Sequence, residues 1–199
     1  MSHAHRLLLH CICAFLIALP WIARAAPAVQ LQRAHGVFEV RAETQVAVDV
    51  ATAWQVLTDY DHLAEFVPDM RTSRVLSGAG GRLLLQQQGE AKFLLFKSRI
   101  DVILEVEESP PARLRFHAVG GNMKQMHGEW RVSAADAGIT LVYAAELEPG
   151  FWVPPLIGSA LMRRDISRQI GGVVQEMLKR YAAARGAAAS PDDRNPPGK

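Results

Sequence analysis

Apolar residues recur at intervals of three and four along a segment near the end of the chain, residues 155–184. The stripe consists mainly of Met162, Ile166, Ile170, Val173, Met177 and Tyr181. This spacing places the side chains on one face of an α-helix, and charged or amide residues fill most of the other positions. The segment contains no proline after Pro155. The pattern therefore predicts one long amphipathic helix that packs on a large apolar surface.

Ahead of this helix, apolar and polar residues alternate, which is typical of β-strands with one buried face. The predicted strands cover residues 37–48, 70–77, 82–97, 98–107, 113–119, 126–133 and 139–147, with Gly89 as a bend in the third. Turn residues such as Pro110-Pro111 and Asp136-Ala137-Gly138 join neighbouring strands. Because such connections are short, we expect an antiparallel sheet of about six to seven strands.

Two short helices are expected directly after the first strand. Asp49 is suited to cap the N-terminus of a helix over residues 50–58. A second helix is predicted near residues 62–67, where Pro68 closes it. The fold class is therefore α+β, with all helices on one face of the sheet.

The N-terminus has the features of a secretory signal peptide. Arg6 precedes an apolar run over residues 7–22, and Ala23-Arg24-Ala25 supplies small residues for cleavage after Ala25. We expect residues 1–25 to be removed and the mature protein to be periplasmic or secreted. The alternative is that the segment stays as an uncleaved anchor.

The predicted mature chain is organised as one domain. Residues 27–35 are interpreted as a short leader, and the domain covers residues 36–185. Residues 186–199 are small, polar and rich in proline, which predicts a disordered tail.

Charge and cysteine content restrict the kind of site this chain can hold. Removing Arg6 and Arg24 reduces the 22 basic residues to 20, equal to the 20 acidic ones, so a nucleic-acid partner is not expected. Cys11 and Cys13 both lie in the predicted signal peptide, which leaves no thiolate ligand or disulfide in the mature chain. The mature chain keeps four histidines without metal-ligand spacing, and neither a metal nor a cofactor is expected.

The first predicted helix and the residues after it suggest a family. Residues 46–60 (VAVDVATAWQVLTDY) lead a strand into a helix whose Trp54 faces the core. Residues 60–70 (YDHLAEFVPDM) place a tyrosine before a phenylalanine and a proline. This passage resembles the START-like (SRPBCC) superfamily, which includes the polyketide cyclase/dehydrase and coenzyme Q-binding families, and the resemblance covers roughly residues 38–184.

The resemblance implies a helix-grip fold, in which a curved antiparallel sheet wraps around the C-terminal helix and leaves a deep apolar cavity. Members of the superfamily use this cavity for lipids, sterols, quinones, plant hormones or polyketides, and they share no catalytic motif. The expected function is an exported binding protein for a hydrophobic small molecule such as a lipid, a quinone or a polyketide-like compound.

Seven residues are candidates for the ligand cavity: Phe93, Met126, Trp130, Tyr143, Ile166, Ile170 and Val174. The alternative is that they pack together as an ordinary core. The pair Gly171-Gly172 in the middle of the helix favours the cavity, because glycine there suggests space for a ligand or a close backbone approach.

Two other functions remain open at this point. A cyclase/dehydratase-type enzyme using the same cavity needs polar groups inside it, and Tyr143 is the best candidate, ahead of Tyr181 and Arg164. Tyr143 can equally be a core tyrosine with a satisfied hydroxyl, so no catalytic residue is assigned. The third possibility is an envelope interaction module with a filled core and no ligand.

The segment that leads into the long helix, residues 149–156 (PGFWVPPL), is apolar and aromatic. Phe151 and Trp152 are candidates for contact with a membrane interface. Three basic residues nearby are placed to meet anionic head groups: Arg163, Arg164 and Arg168. The alternative is that the two aromatic residues cap the core.

Overall fold

The computed structural model describes residues 27–77, 83–93 and 96–188, without the side chains of residues 77, 93 and 96. The predicted signal peptide, residues 1–25, lies outside the described residues. The same holds for residues 189–199 of the predicted tail.

Within the described residues the chain forms eight strands, three α-helices and a 3₁₀ turn at Tyr60–His62. The elements in chain order are β1 (Ala28–Ala34), β2 (Val37–Val46), α1 (Val50–Leu57), α2 (Leu63–Phe66), β3 (Met70–Ser77), β4 (Leu83–Phe93), β5 (Phe96–Ser109), β6 (Arg113–Gly121), β7 (Met123–Ala135), β8 (Gly138–Pro149) and α3 (Gly158–Ala188). The strands form one antiparallel sheet in the order β1-β2-β8-β7-β6-β5-β4-β3. The helix-grip α+β class is confirmed.

The sheet has one more strand than expected, because β1 occupies residues that were interpreted as a leader. β1 pairs with β2 from Ala28 opposite Glu43 to Ala34 opposite Val37. His35 and Gly36 connect the two strands with φ angles of 51° and 91°, as a tight hairpin turn requires. The folded unit therefore begins at Ala28 rather than at residue 36.

A second difference concerns the segment predicted as one bent strand over residues 82–97. β4 continues through Gly89 but ends at Phe93, and β5 begins at Phe96. Lys97 pairs with Lys92 across this hairpin instead of extending the same strand. The sequence between the two lysines (FLLF) contains no glycine, proline, asparagine or aspartate to mark a turn.

The first helix begins where the sequence predicts. The Oδ1 atom of Asp49 accepts a hydrogen bond from the backbone N–H of Thr52 at 2.6 Å, which satisfies one of the unpaired donors at the start of α1. Ala53 and Val56 on the inner face of α1 are fully buried. The cap and the apolar face therefore fix α1 against the core.

The long helix α3 extends from Gly158 to Ala188 and has different surroundings along its length. In its C-terminal half, Val173 and Met177 pack in a dense cluster with α1 and the ends of β2 and β8. In its N-terminal half, Ile166 and Ile170 belong to a second cluster under the middle of the sheet. Since Met177 is fully buried, the C-terminal half is the tightly packed part of the helix.

The pair Gly171-Gly172 separates these two halves, and its members have different surroundings. A Cβ atom on Gly172 would lie 2.2 Å from the carbonyl oxygen of Phe66 and 2.8 Å from Cδ of Pro68. A Cβ atom on Gly171 would meet nothing within 4 Å. Gly172 therefore permits a close approach of α3 to the end of α2, and it does not make space for a ligand.

This difference predicts opposite effects of two neighbouring substitutions. Gly172→Ala should lower the free energy of unfolding by about 1–3 kcal/mol, because the methyl group collides with backbone atoms. Gly171→Ala should raise it by up to about 1 kcal/mol, because alanine favours the helix. Urea denaturation of both variants measures the effect. Equal destabilisation by the two variants would contradict the close approach at Gly172.

Candidate ligand-binding cavity

Two adjoining chambers lie between the inner face of the sheet and the N-terminal half of α3. The first, here called the β4 chamber, has a volume of about 170 Å³ and is walled by β4, β5, β7, α3 and the segment after β8. The second, here called the α2 chamber, has a volume of about 150 Å³ and lies between α2, α3 and the strands β4 to β8. Together they approach the lower end of the roughly 300–1,000 Å³ common for small-molecule pockets.

The chambers share a set of lining residues, here called the waist. Six of the described residues line both chambers: Met70, Gln87, Met126, Tyr143, Ile166 and Gln169. They come from β3, β4, β7, β8 and α3, so the waist includes side chains from both the sheet and the helix. Its position makes the two chambers neighbouring parts of one apolar site.

The structure brings together most of the cavity residues proposed from the sequence. Met126, Tyr143 and Ile166 lie at the waist, and Trp130 and Ile170 line the α2 chamber.

The other two proposed residues are placed differently. Val174 lines neither chamber and packs between the two core clusters, because Val173 occupies the helix position that faces the α2 chamber. Phe93 ends β4, and its side chain is outside the described residues.

Tyr143 is the central polar residue of the inner sheet face. Its ring centroid lies 4.7 Å from that of Trp130 at a tilt of 48° and 6.2 Å from that of Phe116. The ring is enclosed by protein, yet part of its surface stays accessible from the chambers. Burial raises the pKa of Tyr143 above its ordinary value of 10, so the hydroxyl stays protonated at neutral pH. No hydrogen-bond partner for this hydroxyl is found among residues 27–77, 83–93 and 96–188.

Gln87 and Gln169 are the polar waist residues that sequence reasoning missed. Gln87 has the same strand parity as the buried Leu85, and Gln169 lies three residues after Ile166 on the apolar face of α3. In both cases, a polar residue at a position that faces the core was the sequence feature that could have predicted a cavity residue. Gln87 Nε2 donates to Ser73 Oγ at 3.4 Å, which is long for a hydrogen bond.

A group of ion pairs borders the β4 chamber and is here called the Asp69 network: Asp69, Lys92, Asp165 and Arg168. Asp69 is only 7% exposed and accepts hydrogen bonds from Lys92 Nζ and Arg168 Nη2. Arg168 Nη2 also donates to Asp165 Oδ1 at 2.9 Å. The network therefore ties α3 to the segment between α2 and β3 and to β4.

The protonation state of Asp69 follows from these partners. Burial alone would raise the pKa of Asp69, but the hydrogen bonds and charges of Lys92 and Arg168 outweigh it and lower the pKa below 3.8. Asp69 is therefore ionised at neutral pH.

A separate polar contact lies beside the α2 chamber. Tyr60 lines this chamber, and its hydroxyl donates to Glu108 Oε1 at 2.5 Å. Burial, together with the hydrogen bond to Glu108 and its charge, raises the pKa of Tyr60. The bond connects the 3₁₀ turn to the end of β5.

The outer face of the sheet carries a larger but open groove of about 670 Å³. Its borders include several charged side chains, some of which pair with one another, such as Arg115 with Glu107 at 3.1 Å. His117 and His127 lie opposite each other in this groove, on the polar face of the sheet. Among the described residues, no three His, Cys, Asp or Glu side chains are arranged to hold a metal ion.

The segment before α3 does not keep its two aromatic residues together. Phe151 is half-buried and lines the β4 chamber, whereas Trp152 is 63% exposed. Leu156, at 97%, and Ile157, at 39%, extend the exposed apolar surface. None of the helices in the described ranges is both long enough and apolar enough to cross a membrane.

The lowered pKa of Asp69 predicts a pH-dependent contribution to stability. The contribution is present at neutral pH and is lost as the pH falls below 3.8 and through the folded-state pKa. Asp69→Asn lacks it at every pH, and asparagine tolerates the φ of 63° at this position. The difference in unfolding free energy between wild type and variant should therefore be largest at neutral pH and shrink in acid.

Urea denaturation across a pH series measures this difference. Asp136→Asn, in the exposed turn between β7 and β8, serves as the control and should match wild type. A difference for Asp69→Asn that does not change with pH would show that the carboxylate charge is not what stabilises the contact.

Known proteins share this architecture. The chain is similar to the Zhui aromatase/cyclase from Streptomyces sp. R1128, with 15% identity, a TM-score of 0.61, and coverage of 78% of this chain and 99% of that one. It is also similar to a STAR-related lipid transfer protein from Xanthomonas axonopodis, with 15% identity, a TM-score of 0.58, and coverage of 77% and 99%. A START superfamily protein from Mycobacterium smegmatis has 12% identity, a TM-score of 0.57, and coverage of 73% and 98%. At these identities the likeness shows the fold alone.

Sequence comparison assigns the family. No curated protein matches the chain. The family described as polyketide cyclase/dehydrase and lipid transport matches residues 46–173, from the end of β2 into α3. The chain therefore belongs to the polyketide cyclase/dehydrase and lipid transport family, within the START-like superfamily.

Proposed function

We propose that this protein binds a hydrophobic small molecule in the two chambers between the sheet and α3. The observation that carries the proposal is the waist, where the chambers adjoin and side chains from both the sheet and the helix face the same space. The lining is mostly apolar with a few polar groups, which is the composition of small-molecule sites. A lipid, a quinone or a polyketide-like compound has the matching character.

The burial pattern supports an open cavity over a filled core. Ile139 and Leu141 of β8 are 1% exposed, as expected for packed core residues. Met126, Trp130 and Tyr143 also face inward, yet they stay only partly buried because they border the chambers. An interaction module with a filled core would bury both sets equally.

The titratable groups support binding more than catalysis. A cyclase/dehydratase-type enzyme working by acid/base chemistry needs a group whose pKa lies near the working pH. The pKa of Tyr143 and that of Tyr60 are raised, and the pKa of Asp69 is lowered, so all three shifts lead away from neutrality. We therefore place the enzyme second to the binding protein.

The proposed site of action is outside the cytoplasm, in the periplasm or the medium. The support is the N-terminal sequence, where Arg6, the apolar run over residues 7–22 and Ala23-Arg24-Ala25 have the order of a cleavable signal. An exported carrier would take up its ligand from, or deliver it to, an envelope membrane.

We further propose that the segment before α3 contacts that membrane. Trp152, Leu156 and Ile157 expose apolar surface beside the β4 chamber. Arg163 and Arg164 are exposed in the second turn of α3, where they could meet anionic head groups. Phe151 lines the chamber instead, so the proposed contact is Trp152 with the two aliphatic residues rather than the aromatic pair.

The cavity proposal predicts that a bulky side chain in the β4 chamber blocks binding. Ala91 is a small, partly buried residue that lines this chamber. Ala91→Phe should weaken binding of the neutral fluorescent probe N-phenyl-1-naphthylamine by about tenfold or more, because the ring occupies ligand space. Ala134→Phe, on an exposed position of β7, is the matched control and should bind as wild type does.

Native mass spectrometry of the purified protein, offered a panel of lipids and quinones, complements the probe titration. A wild-type protein that carries no ligand, takes up none from the panel and leaves the probe fluorescence unchanged would overturn the proposed function.

The membrane proposal predicts loss of vesicle binding when the exposed apolar surface is removed. Trp152→Ala/Leu156→Ala should lower the partition coefficient measured by co-sedimentation with phosphatidylglycerol-containing liposomes by about a hundredfold or more, since each buried side chain contributes about 1.5–3 kcal/mol. Val75→Ala/Val119→Ala changes two exposed apolar residues elsewhere and serves as the control. Equal sedimentation of both double variants would rule out this segment as the membrane contact.

A further inference from the structure

The polar residues of the waist come from three different walls. Gln87 belongs to β4, Tyr143 to β8 and Gln169 to α3, and each of them lines both chambers. The other waist residues, Met70, Met126 and Ile166, are apolar. A long apolar molecule occupying both chambers would therefore pass a belt of hydrogen-bonding groups about midway along its length.

These groups have little to bond to inside the protein. Across the described ranges, neither the Tyr143 hydroxyl nor the Gln169 amide has a hydrogen-bond partner, and the contact from Gln87 to Ser73 is long. The side chains of Tyr143 and Gln169 are only partly buried, and neither is among the fully buried polar side chains that lack a partner. A ligand that fills the chambers would exclude water from these groups, and a polar group left without a partner is costly. A hydroxyl or carbonyl oxygen on the ligand would supply the missing partner, since phenol and amide groups can donate to it and amide oxygens can accept from a hydroxyl.

The charges around the chambers are distributed unequally. Three carboxylates among the described residues line the β4 chamber: Asp69, Glu90 and Asp165. Their cationic partners Lys92, Arg168 and Arg71 pair with them but are not among the described residues that line it. The described lining of the α2 chamber carries no Asp, Glu, Lys, Arg or His.

This distribution acts against an anionic ligand. A carboxylate or phosphate head group in the β4 chamber would lose hydration and find each neighbouring cation already paired with a protein carboxylate. In the α2 chamber it would lose hydration without any opposite charge. A cationic head group gains little binding energy either, because each carboxylate that lines the β4 chamber already has a cationic partner.

We propose, building on the proposed function, that the cavity selects an uncharged amphiphile. The ligand is a long apolar molecule with a hydroxyl or carbonyl oxygen at the waist, where Tyr143 and Gln169 hydrogen-bond to it. The same cavity discriminates against fatty acids and other lipids whose only polar group is anionic.

The test is displacement of bound N-phenyl-1-naphthylamine from the full mature protein by decanol, methyl decanoate, decanoate and decylamine. These compounds carry the same apolar chain and differ in the charge and hydrogen-bonding character of the head group. We expect decanol and methyl decanoate to displace the probe at concentrations about tenfold lower than decanoate or decylamine at neutral pH.

Two substitutions test the waist residues. Tyr143→Phe and Gln169→Leu should each weaken decanol binding by about three- to tenfold more than they weaken probe binding, because they remove a hydrogen bond and keep an apolar wall. The matched controls Tyr181→Phe and Gln175→Leu lie on α3 outside both chambers and should change neither affinity.

A third substitution tests the carboxylates that line the β4 chamber. Glu90→Gln removes one carboxylate and leaves Arg71 without its partner, so decanoate should bind several-fold tighter while decanol is unaffected. Glu107→Gln removes a carboxylate of a similar cross-strand pair on the outer face of the sheet, and it should alter neither ligand.

The outcomes separate this inference from the function on which it rests. Failure of the probe and of every compound to bind would overturn the proposed function. If the probe binds and decanoate or decylamine displaces it as effectively as decanol does, the selection for uncharged ligands is wrong. The proposed binding in the cavity would then still hold. The role of the waist would be overturned if the probe binds but decanol does not displace it. It would also be overturned if Tyr143→Phe and Gln169→Leu both bind decanol as tightly as wild type does.

Discussion

The close approach of α3 to the end of α2 determines how the rest of the long helix lies over the sheet. At Gly172 the helix backbone is so near the carbonyl oxygen of Phe66 that no side chain fits between them. On the C-terminal side, Val173 and Met177 fill the space against α1 and the sheet. On the N-terminal side, the Asp69 network holds the helix again. The helix residues that line the chambers, from Met162 to Val173, lie around these two points of attachment. The two attachments therefore set where the helix lies over the cavity.

Maintaining this space costs stability, because side chains that border a void lose packing contacts. The dense cluster around Met177 is well placed to offset the cost, since it combines α1, α3 and the ends of β2 and β8 in one apolar unit. Packing and ligand space are thus separated along a single helix. That separation explains why Ile139 and Leu141 are fully buried while Tyr143, two residues further along the same strand, borders the cavity.

Periodic features of the fold could be predicted from the sequence, and single contacts could not. The stripe on α3, the strand alternation and the Asp49 cap each depend on neighbouring positions, so they are visible in the sequence. β1 was missed because its alternation rests on Val29 and Leu31 alone and its turn is His35-Gly36 rather than a glycine-rich pair.

The bond between Asp69 and Arg168 joins residues 99 positions apart, and no local sequence pattern predicts it. Gln87 and Gln169 are polar residues at inward positions, and a search for apolar faces does not select such residues.

The polar contacts beside the two chambers differ, and this difference indicates through which chamber the proposed carrier would exchange its ligand. Beside the α2 chamber, a hydrogen bond from Tyr60 to Glu108 connects the 3₁₀ turn to β5, and no described charged residue lines the chamber. The β4 chamber is bordered by ion pairs and by Phe151, next to the exposed side chains of Trp152 and Leu156. Among the ion pairs that border the β4 chamber, Arg71–Glu90 has a largely exposed arginine, and exposed pairs separate in water at small cost. In the proposed function, ligand exchange therefore takes place at the β4 chamber, where this exposed pair and the proposed membrane contact both lie.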